Sequence, residues 1–169
     1  SDKFKDLILA VGTGIGDTFD INKLKYHKVI IMADADVDGS HISSLYMTFF
    51  YRHLPEIVKS GFLYIAQPPL FKVMFGKEKE YVFTEEERDV LVKKYADKKV
   101  VVQRFKGLGE MNADELWETT MRPETRILKR VDIGDAEAAD LMFMTLMGEE
   151  VAPRKKFIQT HALSANIDI

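Results

Sequence analysis

Apolar residues recur at helical spacing at the start of the chain, where Phe4, Leu7, Ile8 and Val11 share one face until Gly12 stops the run. The stretch 12–17 (GTGIGD) reads as a loop. Asp17 stands where a dinucleotide fingerprint needs its third glycine, and no strand precedes it. Residues 28–33 (KVIIMA) are a short unbroken apolar run, which predicts a strand buried on both faces of a parallel sheet. Ser40 is placed to cap a helix over 41–53, with Ile42, Leu45, Phe49 and Phe50 on a broad apolar face. Gly61 closes a further short helix, and FLYIA at 62–66 predicts a second buried strand. Strand, helix, helix, strand is α/β architecture, and Pro68–Pro69 ends it.

The pattern then changes to a hairpin from Leu70 to Phe83, turning at the charged segment GKEKE. Thr84 with Glu87 is a capping box that opens a helix to about Tyr95. KVVVQRF at 99–105 predicts a strand, followed by KGLGEM. Asn112 with Glu115 makes a second capping box, whose helix must end before Pro123. Residues 126–133 predict a strand, Asp135–Met147 a helix ended by Gly148, and about Pro153 onward a last helix leading to the tail SANIDI. Trp117 and Met121, and Met142, Phe143, Met144 and Met147, are expected in the core at this spacing. The competing reading is a partner surface, since methionine suits adaptable packing. There are no internal repeats and no low-complexity tracts.

Composition narrows the classes. With 169 residues, 46% hydrophobic and 30% charged, the chain can build a core and is not wholly disordered. It has no cysteine, which excludes disulfides, a thiolate metal site and a Cys nucleophile, and suits a reducing, cytoplasmic setting. No apolar run approaches the roughly 20 residues of a membrane span, and no signal-peptide pattern opens the chain. A net charge of −3, from 24 basic and 27 acidic residues, excludes a globally basic nucleic-acid coat.

The charge is segregated, however. Residues 88–106 hold Arg88, Lys93, Lys94, Lys98, Lys99, Arg104 and Lys106 against Asp89 and Asp97, and residues 122–130 and 154–156 are basic as well. Such stretches neutralise phosphates without reading bases. For 88–99 a solvated helix face competes with that role. Arg104 and Lys106 are the stronger candidates, because Gly107 and Gly109 beside them let backbone amides approach a phosphate, or else make a tight strand-to-helix turn.

The most informative feature is Asp34-Ala35-Asp36-Val37-Asp38-Gly39, which follows directly on the first apolar strand. Three carboxylates at alternate positions repel one another unless something positive sits among them. An EF-hand loop fails, because its twelfth position is Leu45 where a bidentate Glu is required, and a strand precedes it. A haloacid-dehalogenase phosphatase wants Thr or Val where Asp38 stands, although Gly134-Asp135 with Asp140 is similar to that family's late acidic motif. An acidic turn capping a helix needs one Asp, not three. The fourth reading is a metal site for phosphodiester chemistry at the carboxyl end of a parallel strand, where open α/β sheets place ligands.

Family resemblance bears on that choice. IIMADADVDGSHI resembles the Toprim motif of type II topoisomerases, QRFKGLGEMNADELWETTM resembles a second stretch of the bacterial type IIA enzymes, and PRKKFIQTHALSANIDI is similar to the end of the gyrase B family. The resemblance runs nearly the whole length. The B-type subunits of topoisomerase IV are the nearest rivals, and the ANIDI ending favours the gyrase B branch.

The resemblance implies an α/β Toprim sheet flanked by helices, over 1–69 and lacking its first strand and Glu motif. A hairpin and linking helix follow over 70–100, without the large insertion some members carry, and an α+β tail over 101–169. It implies Mg²⁺, for which Mn²⁺ or Ca²⁺ can substitute, held by Asp34 and Asp36 with Asp38 as an alternative or supporting ligand. His41 is a possible neighbour of the metal shell, a capping or packing role being the competing reading. DNA contact is expected at Arg104, Lys106, Gly107 and Gly109. The implied partners are double-stranded DNA and a gyrase A subunit, which supplies the catalytic tyrosine in an A2B2 assembly; no membrane is involved.

In the family a Glu from an E-G-D-S-type motif precedes the Asp loop. No such motif exists here, and Glu56 and Glu110 lie after the loop. The ATPase domain and transducer are likewise missing, so ATP would act only through a part of the subunit not in this chain. The expectation is that the chain is the carboxy-terminal part of a longer subunit and alone neither cleaves DNA nor hydrolyses ATP. Mg²⁺-dependent cleavage by the purified chain without an A subunit would overturn it.

Overall fold

Helix α1 (Asp2–Val11) opens the computed structural model, which describes residues 2–34, 36–134 and 136–164. Asp135 and the ANIDI end, which bear on the family resemblance and on the phosphatase reading, lie outside the described residues. After α1 the glycine-rich stretch is a loop, as its pattern predicts. Gly12, Gly14 and Gly16 all take positive φ, a conformation open mainly to glycine. Thr13, between two of them, is fully buried, and its carbonyl accepts the Asp20 amide at 2.8 Å.

Strand β1 (Val29–Ile31) pairs in parallel with β2 (Leu63–Gln67), in the register Val29↔Leu63 to Ile31↔Ile65. The connection carries α2 (Val37–His53) and α3 (Pro55–Lys59). Beneath them Phe50, Leu54, Ile57 and Leu63 are almost wholly buried. Phe4 of α1 stacks on Phe49 of α2 with ring centroids 4.3 Å apart. The other side of β2 is taken by β6 (Ile127–Arg130), antiparallel, in the register Tyr64↔Arg130 to Gln67↔Ile127. The sheet is therefore mixed, in the order β1-β2-β6, with an antiparallel edge on a parallel pair. At the opposite edge Val29 and Ile30 are only half-buried, where the apolar run predicted burial on both faces.

A second sheet is wholly antiparallel: β3 (Phe71–Phe75), β4 (Glu78–Val82) and β5 (Val100–Arg104), in the order β4-β3-β5. The period of two puts Phe71, Val73 and Phe75 on one buried face. Helix α4 (Glu85–Lys94) covers that face with Leu91, and Tyr95 stacks on Phe75 at 3.9 Å. The helix starts as predicted. Thr84 Oγ1 accepts the Glu87 amide, while the Glu87 carboxylate accepts the Thr84 amide.

The second capping box also forms, opening α5 (Ala113–Leu116), which runs on into a π-helical turn, Trp117–Met121. The buried side of this segment is polar: Glu115, Thr119 and Thr120 point inward. Trp117 and Met121, expected in the core, are 55% and 44% exposed.

The chain divides into two compact units, up to Val131 and from Asp132 on. The second holds α6 (Ala136–Met147) and α7 (Val151–His161), and the Arg154 guanidinium donates to the Gly148 carbonyl at their junction. Helix α7 begins two residues before Pro153. A proline is tolerated there because the first four helical amides have no intrahelical partner. Met142 and Met144 of α6 are exposed as well.

Candidate metal centre and nucleic-acid-facing turn

The acidic loop leaves the carboxyl end of β1 and runs straight into α2. Asp36, not Ser40, is the helix cap: its backbone is extended, and its Oδ1 accepts the Gly39 amide at 2.7 Å. Asp is among the best capping residues, and Asp38 in the first turn adds a charge that favours the helix amino terminus. Gly39 is buried and pressed on the loop. A Cβ there would lie 2.1 Å from the Asp34 carbonyl oxygen. Thus the chain doubles back on itself at a spot only glycine fits.

Asp34 is exposed, yet one of its oxygens is held. Oδ1 accepts the Leu108 amide at 2.8 Å, a bond spanning 74 positions of sequence. Gly107 lies flat against the same carboxylate, where a Cβ would come within 2.8 Å of Cγ and Oδ2. The KGLGE turn organises itself for this contact. The Glu110 carboxylate accepts the Lys106 amide at 2.9 Å, and the Gly107 carbonyl accepts the Glu110 amide. Upstream, the Phe105 amide is bonded to the Leu70 carbonyl at 2.8 Å, which ties the turn to the hairpin sheet.

Two ion pairs dock the following segment on that sheet. Lys72 Nζ of β3 meets Glu115 at 2.6 Å, with both side chains largely buried, and Lys79 Nζ of β4 meets Glu118 at 2.6 Å. The hydrogen bond from Lys72 holds the Glu115 carboxyl below its ordinary range, and Glu118 pushes the Lys79 ammonium up. Thr119 Oγ1 donates to the Glu115 carbonyl and lies 3.1 Å from the Thr120 hydroxyl.

The structure thus brings Asp34, Gly107 and Leu108 together. Asp36 and Asp38 are exposed at the start of α2, and His41 is exposed one turn on. Among the described residues no three His, Asp or Glu side chains converge on one point. That donor set does not make an all-protein cage. It does suit a hard cation that takes one or two carboxylates and completes its shell with water or phosphate oxygens. Asp34 and Asp36 each have one oxygen bound to a backbone amide, and no bond to the other is found among the described residues.

Lys106 and Gly109 are exposed on the turn beside Asp34, and Arg104 ends β5 just before it. The basic stretch upstream is used differently. Arg88 lies over the Phe71 ring and pairs with Glu85 and Asp89, and Lys98 lies over Phe75 and Tyr95. These cations cover aromatic faces of the hairpin core. Leu108 leaves no signal in the sequence, because its part is played by a backbone amide that any residue but proline carries.

Residues 2–68 match the Toprim domain family, and residues 97–159 match the family described as DNA gyrase B subunit, carboxyl terminus. The strand, acidic loop and helix are therefore those of a Toprim domain. The chain is 55% identical to the DNA gyrase B subunit of Metamycoplasma hominis over 96% of its own length and 26% of that protein's. It is 53% identical to that of Thermus thermophilus over 96% and 26%, and 51% identical to that of Treponema denticola over 100% and 27%. The chain belongs to the DNA gyrase B family, and it spans about a quarter of the length of these relatives. The phosphatase and EF-hand readings of the loop are not favoured. Among the described residues, no helix is long and apolar enough to cross a membrane.

Proposed function

We propose that this chain contributes the metal-binding half of a DNA cleavage and religation site in a type II topoisomerase, DNA gyrase. The observation that carries the reading is the acidic loop at the carboxyl end of β1, with the Lys106–Glu110 turn packed on Asp34. Asp34 and Asp36 hold Mg²⁺, and Asp38 and His41 support its shell. When bound, the cation neutralises charge developing on a phosphodiester oxygen and stabilises the leaving 3′ oxygen. Arg104 and Lys106 bind flanking phosphates of double-stranded DNA, with Gly107 and Gly109 keeping the turn thin enough for the backbone to approach.

The nucleophile is a tyrosine of an A subunit in an A2B2 complex. Its oxygen attacks phosphorus, the 3′ oxygen leaves, and the reverse attack reseals the strand. ATP acts through another part of the full subunit, and the complex works in the cytoplasm. The three segments of the chain follow this division: Toprim over 1–69, hairpin and linking helix over 70–100, tail over 101–169.

Exchange of Asp34 and Asp36 for Asn in the full-length protein, reconstituted with its A subunit, tests the reading. Mg²⁺-dependent cleavage and supercoiling are expected to fall by about 100-fold or more, because a carboxylate aimed at the cation is lost while shape is kept. Cleavage at the wild-type level in both variants would remove the basis of the proposal.

A further inference from the structure

We infer that the Lys106–Glu110 turn is a positioning device for Asp34, acting through the Leu108 amide and the bare Cα of Gly107. The inference rests on the metal-site reading above and adds to it the part that holds the carboxylate in place. Asp34 stands on an exposed loop, in a chain segment where three carboxylates repel one another. A free aspartate there would sample several rotamers. The Leu108 amide fixes Oδ1 at 2.8 Å, and Gly107 closes the space beside Cγ, so the carboxylate has one orientation and Oδ2 stays available.

The backbone is prepared for this. Gly107 is extended, with φ −162° and ψ 168°, so a larger residue is excluded by the Asp34 carboxylate and not by backbone strain. The turn is braced from within by Glu110 on the Lys106 amide, and from the hairpin side by Phe105 on Leu70. Partners that orient a metal ligand in this way affect metal affinity about 10–100-fold.

Leu108 is the first residue of a short 3-10 turn, and its amide makes no backbone bond among the described residues. Proline fits that position, and an extended residue before it is what proline requires. Leu108→Pro and Leu108→Ala lose similar side-chain packing and differ chiefly in the N–H. In the full-length enzyme the Mg²⁺ concentration for half-maximal cleavage is expected to be about 10–100-fold higher in Leu108→Pro than in Leu108→Ala. At saturating Mg²⁺ the two should converge, since orientation and not chemistry is lost. Equal or lower half-saturation in the proline variant overturns the inference.

Gly107→Ala is the second variant, should the proline variant not fold. Its Cβ meets only the far end of the Asp34 side chain at less than 3.0 Å, so the same shift in Mg²⁺ requirement is expected. Hydrogen exchange gives a readout without metal. Asp34→Ala should speed exchange at the Leu108 amide in the metal-free full-length protein, and unchanged exchange counts against the bond. The two levels of reading separate cleanly. Intact cleavage in both Asp34→Asn and Asp36→Asn defeats the site itself. Abolished cleavage in Asp34→Asn, with identical Mg²⁺ profiles for Leu108→Pro and Leu108→Ala, defeats only the positioning role.

Discussion

Replacing Gly39 by alanine is expected to destabilise the first unit by about 2 kcal/mol and to depress Mg²⁺-dependent cleavage by about 100-fold. Two effects oppose each other. Alanine is the better helix former, by about 1 kcal/mol, and Gly39 lies inside the first turn of α2. Against that, its Cβ would fall 2.1 Å from the Asp34 carbonyl oxygen, and 2.8 Å and 2.9 Å from the Asp34 carbonyl carbon and nitrogen. These are backbone atoms of the loop and cannot swing away as a side-chain tip does. Overpacking of this kind costs about 1–3 kcal/mol. Displacement of Gly39 also weakens the Asp36 cap, worth about 1 kcal/mol. The clash wins.

With Asp34 in the proposed metal site, the functional loss is the larger effect, because Asp34 itself must move and misplacement by about 1 Å costs catalysis about 100-fold. Urea unfolding and cleavage by the reconstituted enzyme measure the two parts. Gly134→Ala, where a Cβ meets nothing within 4 Å, is the reference and should lie within about 0.5 kcal/mol of wild type. A Gly39→Ala protein that unfolds at higher urea and cleaves normally would show that the loop is not built as described.

What could be read from the chain beforehand was local. The two capping boxes, Thr84–Glu87 and Asn112–Glu115, depend on residues three apart, and both form. The hairpin turns at Gly76, whose positive φ the glycine supplies. The hidden features were those that join distant segments. Nothing in ILKR says that β6 runs antiparallel to β2, and nothing in VVVQR says that β5 joins the hairpin. The Asp34–Leu108 bond is of this kind, since a backbone amide leaves no mark in the side-chain alphabet.

The exposure of Trp117 and Met121 has a different cause. Apolar periodicity assumes that the apolar stripe faces inward, but here the docking surface is the charged face of the hairpin sheet, with Lys72 and Lys79. The segment therefore turns its Glu and Thr side chains in and its Trp out. Asp36 is hidden as the cap in the sequence because its carboxylate equally fits a cation site. One carboxylate does both jobs if one oxygen takes the amide and the other stays available.

The buried pair Lys72–Glu115 carries the second large effect. Lys72→Met is expected to cost about 3 kcal/mol at neutral pH, because it leaves the Glu115 charge buried and unpaired. Lys72→Met combined with Glu115→Gln should recover more than half of that loss, since no bare charge remains and Gln still accepts the Asn112 amide. The pH dependence follows from the direction of the shift. The Lys72 hydrogen bond, helped by the Asn112 amide, holds the Glu115 carboxyl below its ordinary 4.5 in the folded chain. As pH falls, the unfolded chain therefore takes up the proton first. The stabilisation is present in full above about pH 4.5 and is lost as pH drops through the lower native value. The gap between wild type and Lys72→Met, measured by urea unfolding, should be widest near neutral pH and narrow as pH falls, because the unpaired Glu115 of the variant takes up its proton before the paired one does. A gap that widens in acid, or none at pH 7, would mean that the 2.6 Å contact is not an ion pair in solution. Because this pair seats the segment that follows the Lys106–Glu110 turn, the same substitution should also raise the Mg²⁺ requirement for cleavage, by less than Leu108→Pro does, since the bond to Asp34 itself is kept.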